Sequence, residues 1–210
     1  MSVDLKIDAG RLLFGLSRIG YSTSSALCDI IDNSIRANAT DIHLIIQKER
    51  EDYSDSKRNN IKEYIIIDNG KGMNNDGILN ALSLGSSVDD YEEHSLSKFG
   101  LGLKSASFSQ GNCLEVISSE GSEFNKYQVS LTKILDSTGY FAKKCEINDS
   151  DQLILDKYLK NGKGTIIRIC EIRKNNHPSV NNTIKELKLK AGVIYYYFIH
   201  DDNVNLFIGD

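Results

Sequence analysis

The sequence predicts an α+β protein, in which helices pack on a mixed, mostly antiparallel β-sheet as a two-layer α/β sandwich. Three observations support this fold class. Helical patterns fill most of the first half of the chain, and strand patterns dominate the second half. Hydrophobic residues make up 40% of the 210 residues, which is sufficient for a substantial buried core. We therefore expect one domain over residues 1–210, and we interpret it as part of a longer protein.

The first half of the chain alternates between helical and strand-like stretches. Serines within residues 22–25 offer N-caps for the helix that follows them. The segment DIHLIIQ alternates and is rich in β-branched residues, whereas EYIII is a buried strand that runs into a glycine-rich turn. The predicted elements are, in order, a short helix over 8–17, a helix over 26–37, a strand over 41–47, a polar excursion over 48–60, a buried strand over 63–68 and a helix over 74–84.

The second half begins after a long polar connection over residues 85–100 and consists mainly of strands. The segment GTIIRI is apolar and β-branched, as expected of a buried strand. The predicted elements are, in order, a short helix over 103–110, strands near 113–119, 124–132 and 139–147, a buried strand over 164–169, a long helix over 179–198 and a last strand over 204–208.

Charge and composition argue against several classes of function. The net charge of −4 disfavours binding of nucleic acid through bulk positive charge, although it leaves a local basic patch open. The four cysteines are far apart and form no CxxC pair, so we expect neither a metal site nor a disulfide framework, and a cytoplasmic location fits best. No apolar run reaches membrane-spanning length, so we expect no membrane association.

The segment LCDIIDNSIRANA, residues 27–39, places polar side chains in a stretch that otherwise predicts a buried helix. Asp29 and Asn33 are four residues apart, so they lie on one face of the helix, one turn above the other. This pair marks the helix as a candidate functional element. The alternative is that Asp29 only caps the helix or forms a salt bridge, for example with Arg36 or Lys104.

The segment DNGKGM, residues 68–73, follows a wholly apolar strand. Asn-Gly and Gly-Lys-Gly are ordinary turn sequences, so a simple strand-to-turn transition is one interpretation. The other interpretation starts from Asp68, because a carboxylate at the end of a buried strand needs hydrogen-bond donors. The exocyclic amine of adenine is such a donor, and Gly70 and Gly72 would let the base approach the backbone closely.

The segment SKFGLGLKSASFSQG, residues 97–111, places Gly100 and Gly102 before a short helix with Lys104 in its first turn. Free N–H groups at a helix N-terminus beside a lysine suit a polyphosphate, and the alternative is a glycine-rich helix entry with a solvated lysine. The chain has no Walker A sequence and no protein-kinase signature. Thr165 opens a buried strand, where its hydroxyl either supports a neighbouring carboxylate or is an ordinary strand threonine.

These motifs, in this order and spacing, resemble the motif series of the GHKL ATPase superfamily, which includes DNA gyrase B, MutL, the ninety-kilodalton heat-shock chaperone, histidine kinases and MORC ATPases. The resemblance covers residues 20 to 170. DNGKGM, LSLGSS and KFGLGLKSAS are most similar to the MORC-like branch. The resemblance implies a Bergerat-type sandwich with helices packed on one face of the sheet.

The resemblance also implies roles for individual residues. Asn33 would bind Mg²⁺ at the phosphates, Asp29 would orient and deprotonate the attacking water, and Asp68 would bind adenine. Residues 85–103 would form a lid over ATP. The other implied nucleotide-binding residues are Gly70, Gly72, Met73 and Thr165 near the base, and Gly85, Ser86, Lys98, Phe99, Gly100, Leu101, Gly102, Leu103 and Lys104 near the phosphates.

Two departures from the family pattern bear on activity. The family usually has Glu at the position of Asp29, and it often has Asp at the position of Arg36. The resemblance implies slow ATP hydrolysis coupled to formation of a homodimer, with residues 1–20 as a dimerisation strap and with a DNA or protein partner that binds beyond residue 210. The alternatives are an ATP-binding dimerisation module with little turnover and a histidine-kinase-like phosphotransfer domain.

Overall fold

The computed structural model describes residues 8–18, 20–85, 101–137, 139–174 and 177–209. Within these ranges the chain forms helices and strands in mixed order. The helices are α1 (Ala9–Leu16), α2 (Thr23–Arg36), α3 (Asn75–Leu82), α4 (Gly102–Gln110), α5 (Leu131–Leu135), α6 (Asp149–Tyr158), α7 (Val180–Ile194) and α8 (Tyr196–His200). The strands are β1 (Asp41–Lys48), β2 (Ile61–Asp68), β3 (Gly111–Glu120), β4 (Asn125–Ser130), β5 (Lys143–Cys145), β6 (Lys163–Ile172) and β7 (Asn205–Ile208).

The strands form one seven-stranded sheet in the order β5-β4-β3-β6-β2-β1-β7. Every neighbouring pair is antiparallel except β1 and β7, which run parallel. The sheet is therefore mixed and mostly antiparallel, and the predicted α+β sandwich is confirmed.

Alternating side chains of the central strands divide the core into two layers. On β2, Ile66 packs into the main cluster together with residues of α2 and α4, such as Leu27 and Phe108. Its neighbours Ile65 and Ile67 point to the other face of the sheet, as expected for a strand with period two. A strand that is buried on both faces explains the continuous isoleucine run in EYIIID.

Two helices were not predicted from the sequence. The strand expected to reach residue 132 ends at Ser130, whose side chain accepts a hydrogen bond from the Lys133 backbone N–H and so caps α5. Helix α6 is absent from the prediction altogether, although Asn148 and Asp151 form a capping box at its start. The long helix predicted over 179–198 is interrupted at Tyr195, which separates α7 from α8.

Helix α6 covers the face of the sheet opposite the main helical layer. Leu155 and the following Leu159 pack with Ile65, Ile67 and other isoleucines of that face. The N-terminus of α6 is held by charge as well. Asp151 is 0% exposed and accepts hydrogen bonds from Lys126 at 2.7 Å and from Arg168 at 2.6 Å. A buried ion pair of this kind adds little net stability because desolvation offsets the attraction, but removing one member leaves a buried charge poorly compensated.

Strand register brings three polar residues into one row on the face of the sheet that packs against α2 and α4. Asp68 at the end of β2 lies directly opposite Thr165 of β6, and Thr165 lies directly opposite Ser118 of β3. These three residues end the apolar part of that face, so the row is where a polar site can form beside the core.

The part of the chain that the structure describes contains no helix long and apolar enough to cross a membrane.

Candidate functional site

Asp68 supplies the carboxylate of this row and has donors for both of its oxygens. Asp68 is buried, with only 4% of its surface exposed. The Ser34 hydroxyl of α2 donates to one oxygen at 2.9 Å, and the backbone N–H of Gly70 donates to the other at 3.0 Å. Burial raises the pKa of Asp68 to about 6, while the two hydrogen bonds act in the opposite direction. At neutral pH the site therefore presents a poorly solvated acceptor to a ligand.

The turn after β2 is packed too tightly for side chains. A Cβ on Gly70 would lie 2.7 Å from the carbonyl oxygen of Ala37, and one on Gly72 would lie 1.8 Å from the carbonyl oxygen of Ser119. Gly72 also has a φ of +69°. The expected reason for these glycines was close approach of a base. The structure gives a reason of its own, because the protein's backbone occupies the space where each side chain would be, and close approach of a base stays a prediction.

One sequence-based interpretation of Thr165 was that its hydroxyl supports a neighbouring carboxylate. In the structure its partner is the Ser118 hydroxyl. Its hydroxyl lies 2.8 Å from the Ser118 hydroxyl, and Ser34 supports Asp68 instead. Ser118 also accepts a hydrogen bond from the backbone N–H of Met73 at 2.9 Å. This bond ties the glycine-rich turn to β3, so Met73 and Thr165 are held in the same polar cluster.

Asp29 and Asn33 lie one turn apart on α2, as predicted, and both are partly exposed. The Asn33 side-chain N–H donates to the backbone carbonyl of Asp29 at 3.1 Å. This bond orients the amide and leaves its oxygen as an acceptor or metal ligand. The neighbouring Asp29 carboxylate, and then burial, raise the pKa of the Tyr21 hydroxyl.

Helix α2 is fixed in place from the side of α7. The Tyr195 hydroxyl lies 2.8 Å from the carbonyl oxygen of Cys28 and 2.7 Å from a carboxylate oxygen of Asp32. Lys190 of α7 donates to the Ser25 hydroxyl near the start of α2. Because these contacts reach α2 from its first turn at Ser25 to its third turn at Asp32, they set the position of the helix that carries Asp29 and Asn33.

Lys104 does not lie free in the first turn of α4. It is 1% exposed, and its ammonium donates to the carbonyl oxygens of Ala81 at 2.8 Å and Ser83 at 2.7 Å. Burial lowers the pKa of Lys104 to about 8. The ammonium thus satisfies carbonyls at the C-terminal end of α3 and ties α3 to α4.

The remaining expected phosphate residues fall partly outside the described structure. Leu101, Gly102 and Leu103 lie at the N-terminal end of α4 and are half-buried. Gly85, at the end of the preceding described range, has a φ of +75°. Ser86, Lys98, Phe99 and Gly100 lie outside the described residues, as does most of the expected lid.

A metal site built from the protein alone is not present in the described ranges, where no three His, Cys, Asp or Glu residues are grouped to hold an ion. Magnesium commonly takes only one or two protein ligands and completes its shell with phosphate oxygens and water. The side-chain oxygen of Asn33 fits that requirement, because its N–H is already engaged by Asp29.

Three residues at this site were not identified from the sequence: Tyr21, Ser34 and Ser118. Ser34 directly follows Asn33, so its neighbourhood was a usable signal, but its orientation toward Asp68 depends on how α2 packs on the sheet. Ser118 lies in the segment ISSE, which has no motif character. Only its register opposite Thr165 reveals it.

Comparison with known proteins agrees with this geometry. A search of curated proteins found no match. The family model described as "Histidine kinase-, DNA gyrase B-, and HSP90-like ATPase" matches residues 21–165, more than two thirds of the chain. The match runs from Tyr21, beside Asp29, to Thr165, in the row with Asp68. The chain therefore belongs to the histidine kinase-, DNA gyrase B- and HSP90-like ATPase family, the GHKL ATPases, and the match supports an ATP-binding domain.

Proposed function

We propose that the chain is a Mg²⁺-dependent domain that binds and slowly hydrolyses ATP and uses the nucleotide to control dimerisation. The observation that carries this proposal is Asp68, a buried carboxylate at the end of β2 that still has acceptor capacity after bonding Ser34 and Gly70. A base with an exocyclic amine satisfies this acceptor, and family membership supports ATP as the source of that base.

The chemistry would take place at α2. The Asn33 oxygen would hold Mg²⁺, which supplies charge neutralisation at the phosphates. Asp29, one turn away and facing the same side, would accept the proton of the attacking water. Tyr21 lies close enough to Asp29 for the carboxylate to raise the pKa of its hydroxyl, so it is a polar neighbour that could orient the general base, for which geometry precedes pKa.

The wider role extends the proposal beyond the site. Residues 85–103 would close over ATP, residues 1–20 would reach a second copy of the chain, and hydrolysis would release both. Work on DNA through regions beyond residue 210, and membership in the MORC-like branch, rest on the similarity of DNGKGM, LSLGSS and KFGLGLKSAS.

A second candidate is an ATP-binding dimerisation module with little turnover. Asp29 favours it, because Asp is shorter than the usual Glu by one carbon–carbon bond, about 1.5 Å. A histidine-kinase-like phosphotransfer function is less well supported, because position 29 carries an acid that suits activation of a water.

Phosphate release from the purified chain, measured with ATP in the presence and absence of Mg²⁺, separates the two main candidates. Slow release that requires Mg²⁺ supports the ATPase. Tight ATP binding with no release above the buffer rate supports the binding module, and absence of ATP binding contradicts both.

A further inference from the structure

Two cysteines that are far apart in the sequence lie side by side in the folded sheet. Cys113 of β3 and Cys170 of β6 are directly opposite each other in an antiparallel pair, and both are free thiols. Their neighbours Leu114 and Ile169 belong to the main core cluster. Because side chains alternate along a strand, both cysteines project from the other face of the sheet. The two thiols are therefore on the same face of adjacent strands.

The spacing of these two positions matches the geometry of a disulfide bond. Opposite Cα atoms of an antiparallel pair are about 4.5–5.5 Å apart, and disulfides join Cα atoms that are about 4.4–6.8 Å apart. The thiols also influence each other, because the Cys113 thiol, and then burial, raise the pKa of Cys170. Strand register and this mutual influence both indicate that the sulfur atoms are neighbours, so a bond between them needs no shift of the strands.

The two thiols differ in exposure and in their polar neighbours. Cys113 is buried, whereas Cys170 is half-buried, so a small reagent reaches Cys170 first. The Cys170 thiol donates to the Glu63 carboxylate at 3.5 Å. The negative charge of Glu63 contributes to the raised pKa of Cys170, which keeps the thiol protonated until it reacts. The same carboxylate is in place to take the thiol proton when the Cys170 sulfur attacks an electrophile.

Neither of the other two cysteines faces a cysteine across the described part of the sheet. Cys145 of β5 lies opposite Lys126. Cys28 is buried in α2 and belongs to the main core cluster, on the side of the sheet away from Cys113 and Cys170. Oxidation of the folded chain should therefore join one particular pair.

We propose that Cys113 and Cys170 form a reversible redox pair, which a hydroperoxide oxidises to a disulfide between β3 and β6. The Cys170 sulfur attacks one peroxide oxygen and becomes a sulfenic acid, while its proton passes through Glu63 to the departing hydroxide and completes a water. The Cys113 sulfur then displaces hydroxide from the sulfenic sulfur, and the Cys113 proton completes a second water. The thiols together lose two electrons and two protons, and hydrogen peroxide is reduced to two waters. A dithiol reductant reverses the oxidation by attack on the half-buried Cys170 sulfur.

The disulfide acts on the centre of the sheet. Strands β3 and β6 are neighbours in the middle of the strand order, and a bond between them closes a long loop of the unfolded chain. We expect the oxidised chain to melt at least about 4 °C above the reduced chain. The inference is independent of the proposed ATP site, because neither cysteine belongs to that site and the test contains no nucleotide.

The test exposes the reduced, full-length chain to hydrogen peroxide after removal of the reductant, and then blocks the remaining thiols with iodoacetamide. Mass mapping without reduction should find a link between Cys113 and Cys170 within single molecules. Dithiothreitol should remove this link. The melting temperature is recorded before oxidation, after oxidation and after reduction.

Single substitutions separate the roles of the two thiols. Cys113→Ser should leave Cys170 as a sulfenic acid, which a 1,3-diketone probe traps because the second thiol is missing. Cys170→Ser should leave the buried Cys113 unmodified. The matched control is Cys145→Ser, which removes the other half-buried thiol and should form the link as the parent does. The parent chain in urea provides a contrast that needs no variant, because mixed cysteine pairings should replace the single link there.

Several results would overturn the inference. One is peroxide that leaves Cys170 unmodified, or that oxidises it to a sulfinic acid without a link to Cys113. Another is a link that joins two molecules, or that involves Cys28 or Cys145 as readily. A correctly linked chain that melts no higher than the reduced chain supports the redox pair and overturns its stabilising effect on the sheet.

Discussion

At the scale of single residues, ATP hydrolysis should depend on Asp29 if it is the general base that we propose. Asp29→Asn should bind ATP about as well as the parent, because Asn33 and Asp68 would contact the ligand independently of it, and its turnover should fall about a hundredfold. Asp29→Glu should keep activity. Phosphate release and calorimetry check these results, and Asn33→Ala, which should lose Mg²⁺-dependent binding, provides the contrast. Hydrolysis by Asp29→Asn at the parent rate would show that the base lies elsewhere.

Asp68 should decide which base is bound. Asp68→Asn exchanges one acceptor oxygen for an N–H₂ group that opposes either the Ser34 hydroxyl or the Gly70 N–H and removes acceptor capacity for the base, so ATP affinity should fall at least tenfold. The exposed Asp76→Asn, which removes the same charge nearby, should leave affinity unchanged. Comparable binding of ATP and GTP by the parent chain would end the adenine assignment.

The same carboxylate should give the chain a specific pH dependence. Its pKa of about 6 in the fold lies above the usual value of 3.8, so the folded state binds the proton more tightly than the unfolded state does. The stability cost of the charged form is fully present above pH 6 and is relieved as pH falls from about 6 to 4. Without nucleotide, the melting temperature of the parent should therefore rise relative to that of Asp68→Asn as the pH is lowered from about 6 to 4. A constant difference between the two proteins would contradict the buried charge.

At the scale of elements, α6 depends on one buried ion cluster. Asp151→Asn removes the most deeply buried carboxylate from the cluster, in which Lys126 keeps Glu115 and Arg168 keeps Glu63, and removing one member of a buried ion cluster costs up to about 3–5 kcal/mol. Chemical denaturation should show that loss, while Asp149→Asn, at an exposed position in the same turn, should change stability by less than about 0.5 kcal/mol. ATP binding should survive in the folded fraction of Asp151→Asn, because α6 lies on the face of the sheet opposite the row that contains Asp68. Equal stability of the two variants would mean that Asp151 is not an anchor.

At the scale of the whole molecule, nucleotide should change the association of the chain with itself. Asp29→Asn with ATP and Mg²⁺ should accumulate as a dimer, because the closed state forms and hydrolysis does not reopen it. Sedimentation velocity with and without nucleotide measures this, and Asp29→Asn/Asp68→Asn, which should not bind ATP, is the control. A chain that binds ATP tightly and stays monomeric would leave ATP binding intact and remove the dimerisation switch.

Local patterns in the sequence determined much of this protein. The isoleucine run before Asp68, the serines before α2 and the four-residue spacing of Asp29 and Asn33 depend on neighbours along the chain, so they predicted the elements, the family and the main site residues. Only tertiary structure decided what depends on strand register and packing. The row Asp68–Thr165–Ser118 joins residues of three different strands that are at least 47 positions apart in the sequence. The contact of Lys104 with Ala81 likewise joins two helices, α4 and α3. Helix α6 was not predicted for the same reason. Its buried face packs against a layer of isoleucines that come together only when the sheet has formed.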